Sequence, residues 1–310
     1  EGAEDYYSGE GEAEGQWIGQ AAARFDLEGN VEPDQLTAML PGHPPVPGTP
    51  LGLKAAPGRE PVPGFDLTFS APKSVSLTWA LGGHPVSGQV MEAHRAAVEA
   101  ALSYMERSAC WARRGKGGRT FVPGQGFLAA AYVHRSSRAG DPQLHTHVLV
   151  ANATLGPDGR WSRLYHPAIY EHARTASYIY AAHLRHELTQ KLGIEWEPVV
   201  GGLADIRGFS TEELRTFSTR RAEILAVAGE GASAKAMRVA ALETRQAKDR
   251  DITDESLREG WRMRAEEIGL TREKIAGRLG HERPGASVLT VRQVERSVTA
   301  HVSHFDRRDA

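Results

Sequence analysis

FLAAAYVHRSSRAGDPQLHTHVLVAN, residues 127–152, carries the clearest structural pattern in the chain. Two apolar runs, Phe127–His134 and Leu144–Asn152, flank the polar loop Arg135–Pro142 and are read as two strands of one hairpin. Side chains on a strand repeat every two residues, so His145 and His147 point to the same face. His134 ends the preceding strand, and the hairpin connection can bring it beside that pair.

Upstream, Phe65, Leu67 and Phe69 alternate with Asp66, Thr68 and Ser70, the period of a half-buried strand. Ser70-Ala71-Pro72 closes that strand and opens a helix expected to reach Leu81, since proline suits a first helical turn. A longer helix is expected over Ser87–Cys110, with Val90, Val98, Leu102 and Met105 on one side. A basic, glycine-rich turn follows, and then a return strand from Thr120. Another amphipathic helix spans His166–Leu192 and stops at Gly193. Residues 1–40 are acidic and suggest short helical pieces, while Pro41–Pro63 holds 8 of the 17 prolines and reads as extended connection. Beyond Asp205 the chain turns helical. Ser210-Thr211-Glu212-Glu213 is a capping box, and Leu214, Phe217, Ile224 and Leu225 continue its pattern. Further helices are expected near 234–248, 254–268, 271–279 and 290–301. The fold class is therefore α+β: a core over residues 1–200 followed by a helical region over 201–310.

At 310 residues the chain can bury a substantial core, and 40% hydrophobic with 25% charged residues argues against disorder. No apolar run reaches membrane-spanning length, and no signal peptide is visible. Cys110 is the one cysteine, which excludes an internal disulfide framework and a multi-cysteine zinc site, and a reducing, cytoplasmic setting is expected. The chain opens without Met and is expected to begin downstream of a true start. The net charge of −2 conceals a gradient: −9 over residues 1–66, +5 over 67–200 and +2 over 201–310. Only a uniformly basic protein is excluded by the average.

The chemistry concentrates in His134, His145 and His147. Three imidazoles converging on one face make a neutral, nitrogen-rich site for a divalent cation, with coordination positions left open. A metal held in this way can act as a Lewis acid on a phosphate. Structural or solvated histidines are the plainer alternative. A cupin-type oxygenase also uses His-x-His but wants a carboxylate ligand shortly after it, and the next Glu after His147 is Glu171. Asp66, on the polar face of a strand where aspartate is disfavoured, is the candidate to hold the second nitrogen of a ligand histidine.

Gly64-Phe-Asp-Leu-Thr-Phe-Ser-Ala-Pro-Lys-Ser-Val-Ser76, followed by His134 and His145-Thr-His147, resembles conjugative relaxases of the TrwC/TraI type, the MobF class. Asp5-Tyr6-Tyr7 and Phe217-Ser-Thr-Arg-Arg221 match the same pattern. The resemblance implies an antiparallel-sheet palm with flanking helices, the three-histidine relaxase fold, followed by a helical region that closes over single-stranded DNA. It implies a bacterial, metal-dependent endonuclease that nicks plasmid origin-of-transfer DNA by tyrosine transesterification, leaving a 5′-phosphotyrosyl adduct and a free 3′-hydroxyl for strand transfer. His134, His145 and His147 would hold the metal, Mg or Mn with Zn or Ni as alternatives. Tyr6 would be a nucleophile with Tyr7 its neighbour, and Asp66 would orient a histidine and help take the tyrosine proton. Family members commonly carry two tyrosine pairs; Tyr6-Tyr7 matches the second, and the first would lie upstream of Glu1. Partners implied are single-stranded and hairpin origin DNA, with accessory relaxosome and coupling proteins, and the chain would act as a monomer without membrane insertion.

Candidate DNA contacts are Arg113, Arg114, Lys116 and Arg119 on the basic turn; Lys73, Arg135 and Arg138 near the histidines; and Arg220 and Arg221 in the helical part. Gly115-Lys116 is followed by Gly117, so no GxxxxGK[ST] loop is present, and the chain is expected to be the relaxase portion of a longer protein. Two other readings stand beside this one: a rolling-circle replication initiator, and a non-catalytic DNA-binding fragment with a structural metal.

Overall fold

The computed structural model describes residues 14–39, 62–245 and 253–281. Tyr6, Tyr7, most of the proline-rich stretch and the helix expected at 290–301 lie outside these residues. The expected hairpin forms the centre of a four-stranded antiparallel sheet. Its strands are β1 (Gln16–Ile18), β2 (Gly64–Ser70), β5 (Ala129–Ser136) and β6 (Pro142–Ala151), in the order β1-β5-β6-β2. β1 escaped the sequence reading because three residues are too few to display a period.

Strand alternation gives the sheet two different faces. Phe69, Val148 and Val150 turn toward α3 (Lys73–Leu81), α4 (His84–Ala109) and α5 (His166–Leu192). Val75 and Leu77 of α3, Ala97, Ala101 and Met105 of α4, and Leu184 and Leu188 of α5 complete that core. The same apolar cluster continues past residue 200 through Ile206, Phe217, Trp261, Leu270 and Ile275. On the other face, α1 (Gln20–Ala23) and α2 (Pro33–Met39) pack Ala21, Ala22, Leu36 and Met39 against Ala130, Tyr132, Leu149 and Ala151. That cover stops short of the strand ends bearing the histidines.

α4 starts at His84, earlier than expected, because Pro85 fits the first turn where its missing N–H costs nothing. α5 ends as expected, with Gly193 in the left-handed conformation (φ 60°) and its N–H on the Thr189 carbonyl. Between α4 and β5 a small hairpin pairs β3 (Trp111–Arg114) with β4 (Thr120–Pro123), and β7 (Thr154–Leu155) pairs with β8 (Trp161–Ser162) beside it.

The helical part contains α6 (Thr211–Thr216), α7 (Thr219–Ala228), α8 (Ala234–Glu243), α9 (Asp254–Glu267) and α10 (Arg272–Ala276). The Ser210–Glu213 capping box is present, with Ser210 Oγ accepting from Glu213 N and Glu213 accepting from Ser210 N. The sequence pattern runs without a break from Leu214 to Leu225, but the structure interrupts it. The break at Phe217-Ser218 arises where Thr219 N donates to the Asp141 carboxylate, 2.7 Å away, starting a new helix on the β5–β6 loop. α8 ends at Glu243 rather than 248: Arg220 donates to the carbonyls of Ala241 and Thr244, closing its C-terminus. Among the described residues no helix is long and apolar enough to cross a membrane.

Candidate metal centre and nucleic-acid cleft

Register places the three histidines side by side. His134 of β5 lies opposite His145 of β6, and Tyr132 opposite His147, so all three rings leave the same face. Ring centroids are 4.9–5.2 Å apart, and one ligand nitrogen from each residue lies within 4.8 Å of the others. A β-bulge follows His134, where the pairing shifts before Ser136 meets Pro142. Bulges of this kind re-aim strand ends next to active sites.

The donor set fits a divalent cation. His147 Nδ1 lies 2.8 and 3.0 Å from the two oxygens of Asp66, which sits on the exposed side of β2, two residues before Thr68, which pairs with His147. His145 Nδ1 lies 2.9 Å from the Gln143 carbonyl. Both acceptors require the proton on Nδ1, which leaves the Nε2 lone pair of each ring as the metal donor. Burial lowers the His145 pKa to about 4, so at neutral pH the ring is uncharged, as ligation demands.

A buried polar triad braces the same strand from behind. Thr146, between the two histidines, faces the helices and is 2.7 Å from His94 Nε2, while His94 Nδ1 is 2.7 Å from the Tyr180 hydroxyl. Burial depresses the His94 pKa to about 3, so this ring too is neutral. Thr146 thus fixes the strand's rotation on one face while its neighbours serve the other.

The histidines stand at the head of a cleft of about 600 Å³. Thr68 and Ser70 of β2, Ser136 at the end of β5, and Ser137 and Arg138 of the β5–β6 loop form one wall; Arg220, Ile224, Arg238, Leu242 and Arg245 from α7, α8 and the residues just after it form the other. Four guanidiniums in one cleft suit a phosphodiester backbone. The loop between β5 and β6 is tied to the helical part at several points. Asp141, fully buried, accepts from Thr219 N, Thr219 Oγ1 and Arg264, and Trp261 Nε1 donates to the Gly140 carbonyl at 2.7 Å.

The remaining sequence candidates divide by place. Lys73 donates to the Pro142 carbonyl at 2.6 Å, and burial brings its pKa down to about 8, partly opposed by Asp141. Arg135 turns away from the histidine face and pairs with Asp254. On the basic hairpin, Lys116 and Arg119 are exposed, whereas Arg114 is held by both oxygens of Asp158 (2.6 and 2.9 Å) and by Ser162. Arg113 donates to the Gly118 carbonyl, and Arg221 is exposed on α7. Tyr6 and Tyr7 fall outside the described residues. The sequence reading missed Asp141, Trp261 and Arg264. Their partners are distant in sequence, so no local spacing could have signalled them.

Comparison with known proteins agrees with this geometry. Residues 1–268 match the TrwC relaxase family. The multifunctional conjugation protein TraI of Escherichia coli is 35% identical over 244 residues, 75% of this chain, and the match covers 13% of TraI's own length. Among solved structures, conjugative relaxase TrwC in complex with oriT DNA, in a metal-bound form, superposes with a TM-score of 0.77 at 29% identity, covering 86% of this chain and 94% of that one. TrwC with a 27-mer DNA comprising the recognition hairpin and the cleavage site gives a TM-score of 0.76 at 29% identity over the same shares. With most of the chain matched in sequence and in three dimensions, and the histidine triplet set on adjacent antiparallel strands, the chain belongs to the TrwC relaxase family.

Proposed function

We propose that the protein is a conjugative relaxase that nicks one strand of origin-of-transfer DNA by tyrosine transesterification. The observation that carries the reading is the placement of three imidazoles, one braced by a carboxylate, at the head of an arginine-lined cleft. A divalent metal, Mn or Mg with Zn and Ni as alternatives, would be held by His134, His145 and His147, and when bound it supplies Lewis-acid polarisation of the scissile phosphate. Imidazole donors suit Ni or Zn better than the oxygen-seeking Mg.

The chain's own groups would do the rest. Arg138, Arg238 and Arg245 bind and align the strand by its phosphates, while Arg220, paired with Glu223 and bonded to the end of α8, holds that wall in place. Asp66 holds His147 in one tautomer. Family membership supports Tyr6 as nucleophile and Tyr7 as its neighbour. The tyrosine oxygen forms a bond to phosphorus as the P–O3′ bond breaks, the phenolic proton passes to a base, and the departing 3′ oxygen takes up a proton. The phosphodiester free energy is retained in the 5′-phosphotyrosyl bond, so strand transfer needs no nucleotide cofactor. Single-stranded and hairpin origin DNA, accessory relaxosome and coupling proteins, a monomeric state and the bacterial cytoplasm complete the proposal.

The test is incubation with labelled single-stranded origin DNA and Mn or Mg, followed by denaturing electrophoresis for a covalent protein–DNA adduct. The adduct is expected to disappear with chelator and in His147→Ala, and Tyr6→Phe should lose it or the transfer that follows. Adduct formation that survives both chelation and His147→Ala would overturn the metal-dependent mechanism.

A further inference from the structure

A second cleft, of about 740 Å³, opens on the helix-covered side of the β5–β6 hairpin, away from the histidines. Its walls come from the end of α3, the first turn of α4, and α9 and α10. Four arginines line it: Arg135, Arg258, Arg262 and Arg272. Arg135 is paired with Asp254, but among the described residues Arg258, Arg262 and Arg272 form no ion pair. Arg258 instead lies over the Trp79 ring, 5.2 Å from its centroid. Arg272 rests against Gly83, where a Cβ would stand 2.4 Å from its guanidinium. Gly83 also precedes the 26-residue α4, whose first turn has no side-chain cap and no acidic residue, so its exposed N–H groups add to the positive potential. Glu266 and Glu273 are the acids in the lining.

Three guanidiniums with no carboxylate at ion-pair distance among the described residues, lining one cavity, describe a site for phosphate oxygens. The hairpin joins this cavity to the first cleft: Ser136, Ser137 and Arg138 face the histidines, and Arg135, one residue earlier, faces the second cavity. The two cavities therefore flank the same hairpin. Trp79 is buried beneath Arg258, so the floor offers no ring for a base to stack on. Contacts there would be made to backbone phosphates without regard to sequence. We propose that this cleft binds, through its phosphates, the single-stranded DNA that extends beyond the metal centre, an inference that rests on the relaxase reading.

The test compares two labelled single-stranded oligonucleotides, a short one confined to the histidine cleft and one extended on both sides, by fluorescence anisotropy across a salt series. The extended strand should show the steeper dependence of log K on log salt. Arg262→Ala with Arg272→Ala should lower that slope by about 1.4, two phosphate contacts at ~0.7 each for a single strand, and leave the short strand unchanged. Arg262→Gln alone, at an exposed position, guards against misfolding and should lower it by about 0.7. Normal short-strand binding with an unchanged extended-strand slope in these variants overturns the second cleft alone, whereas no binding of either strand to the wild type overturns both readings. ATP serves as the competing phosphate source. If ATP binding is lost in the double variant while extended-strand binding is not, the site takes a free nucleotide and the DNA assignment fails.

Discussion

Removing the Asp66 carboxylate should weaken metal binding far more than it weakens the fold. In the folded protein both Asp66 oxygens lie within 3.0 Å of His147 Nδ1, and the Thr68 hydroxyl is 3.3 Å from the same nitrogen. The carboxylate therefore selects the tautomer that presents Nε2 to the metal and fixes the ring's rotation. Loss of such an outer partner typically costs 10–100-fold in metal affinity, or about 1.4–2.7 kcal/mol. Asp66→Ala should reach the upper part of that range, because the Thr68 hydroxyl at 3.3 Å is a weaker partner for Nδ1 than the carboxylate. Asp66→Asn keeps one acceptor oxygen without the charge and should fall between Ala and wild type. Without metal, both variants should melt close to the wild type: Asp66 is partly exposed and strands disfavour aspartate, so little packing is lost. Calorimetric titration with Mn, paired with thermal melts of the metal-free protein, separates the two effects. Equal Mn affinity in all three proteins, or an affinity loss matched by an equal loss of metal-free stability, would refute the positioning role.

Asp141 and His94 support two further predictions. Asp141→Ala removes the acceptor for Thr219 N and the carboxylate beside Arg264, which keeps its bond to the Thr216 carbonyl, so denaturant unfolding should show a loss of about 2–3 kcal/mol, discounted from a fully buried pair because Arg264 is a third exposed. A loss below about 0.5 kcal/mol would mean that the β5–β6 loop does not depend on the helical part. His94 is held near pKa 3 by burial, against 6.5 when free. Between pH 6.5 and 3 the unfolded chain binds a proton there that the folded protein refuses, so stability falls as pH is lowered through that window. At pH 5 the cost from His94 is about 2 kcal/mol, and His94→Gln should flatten the wild-type slope between pH 7 and 5 by that amount. Urea midpoints that fall in parallel for both proteins would assign the acid sensitivity to other groups, His145 foremost, since burial lowers it to about 4.

Local sequence carried much of this molecule because its main elements obey short periods. The two-residue repeat in 65–70 and 144–152 set which side chains share a face, so Asp66, His145 and His147 could be placed together before any fold was known. Helices over 73–81 and 166–192 were equally legible, since local chemistry bounds them: Pro72 opens one and left-handed Gly193 ends the other. Tertiary structure alone decided where arginines point and what they meet. Arg114 is occupied by Asp158, 44 residues away, and Arg135 by Asp254, 119 residues away, while Arg238 and Arg245 arrive at the histidines on a separate helical layer. The same holds for the Asp141 anchor and for the second arginine cleft. Periodicity follows from backbone geometry within a few residues, whereas the partner of a long charged side chain depends on which distant elements the core brings beside it.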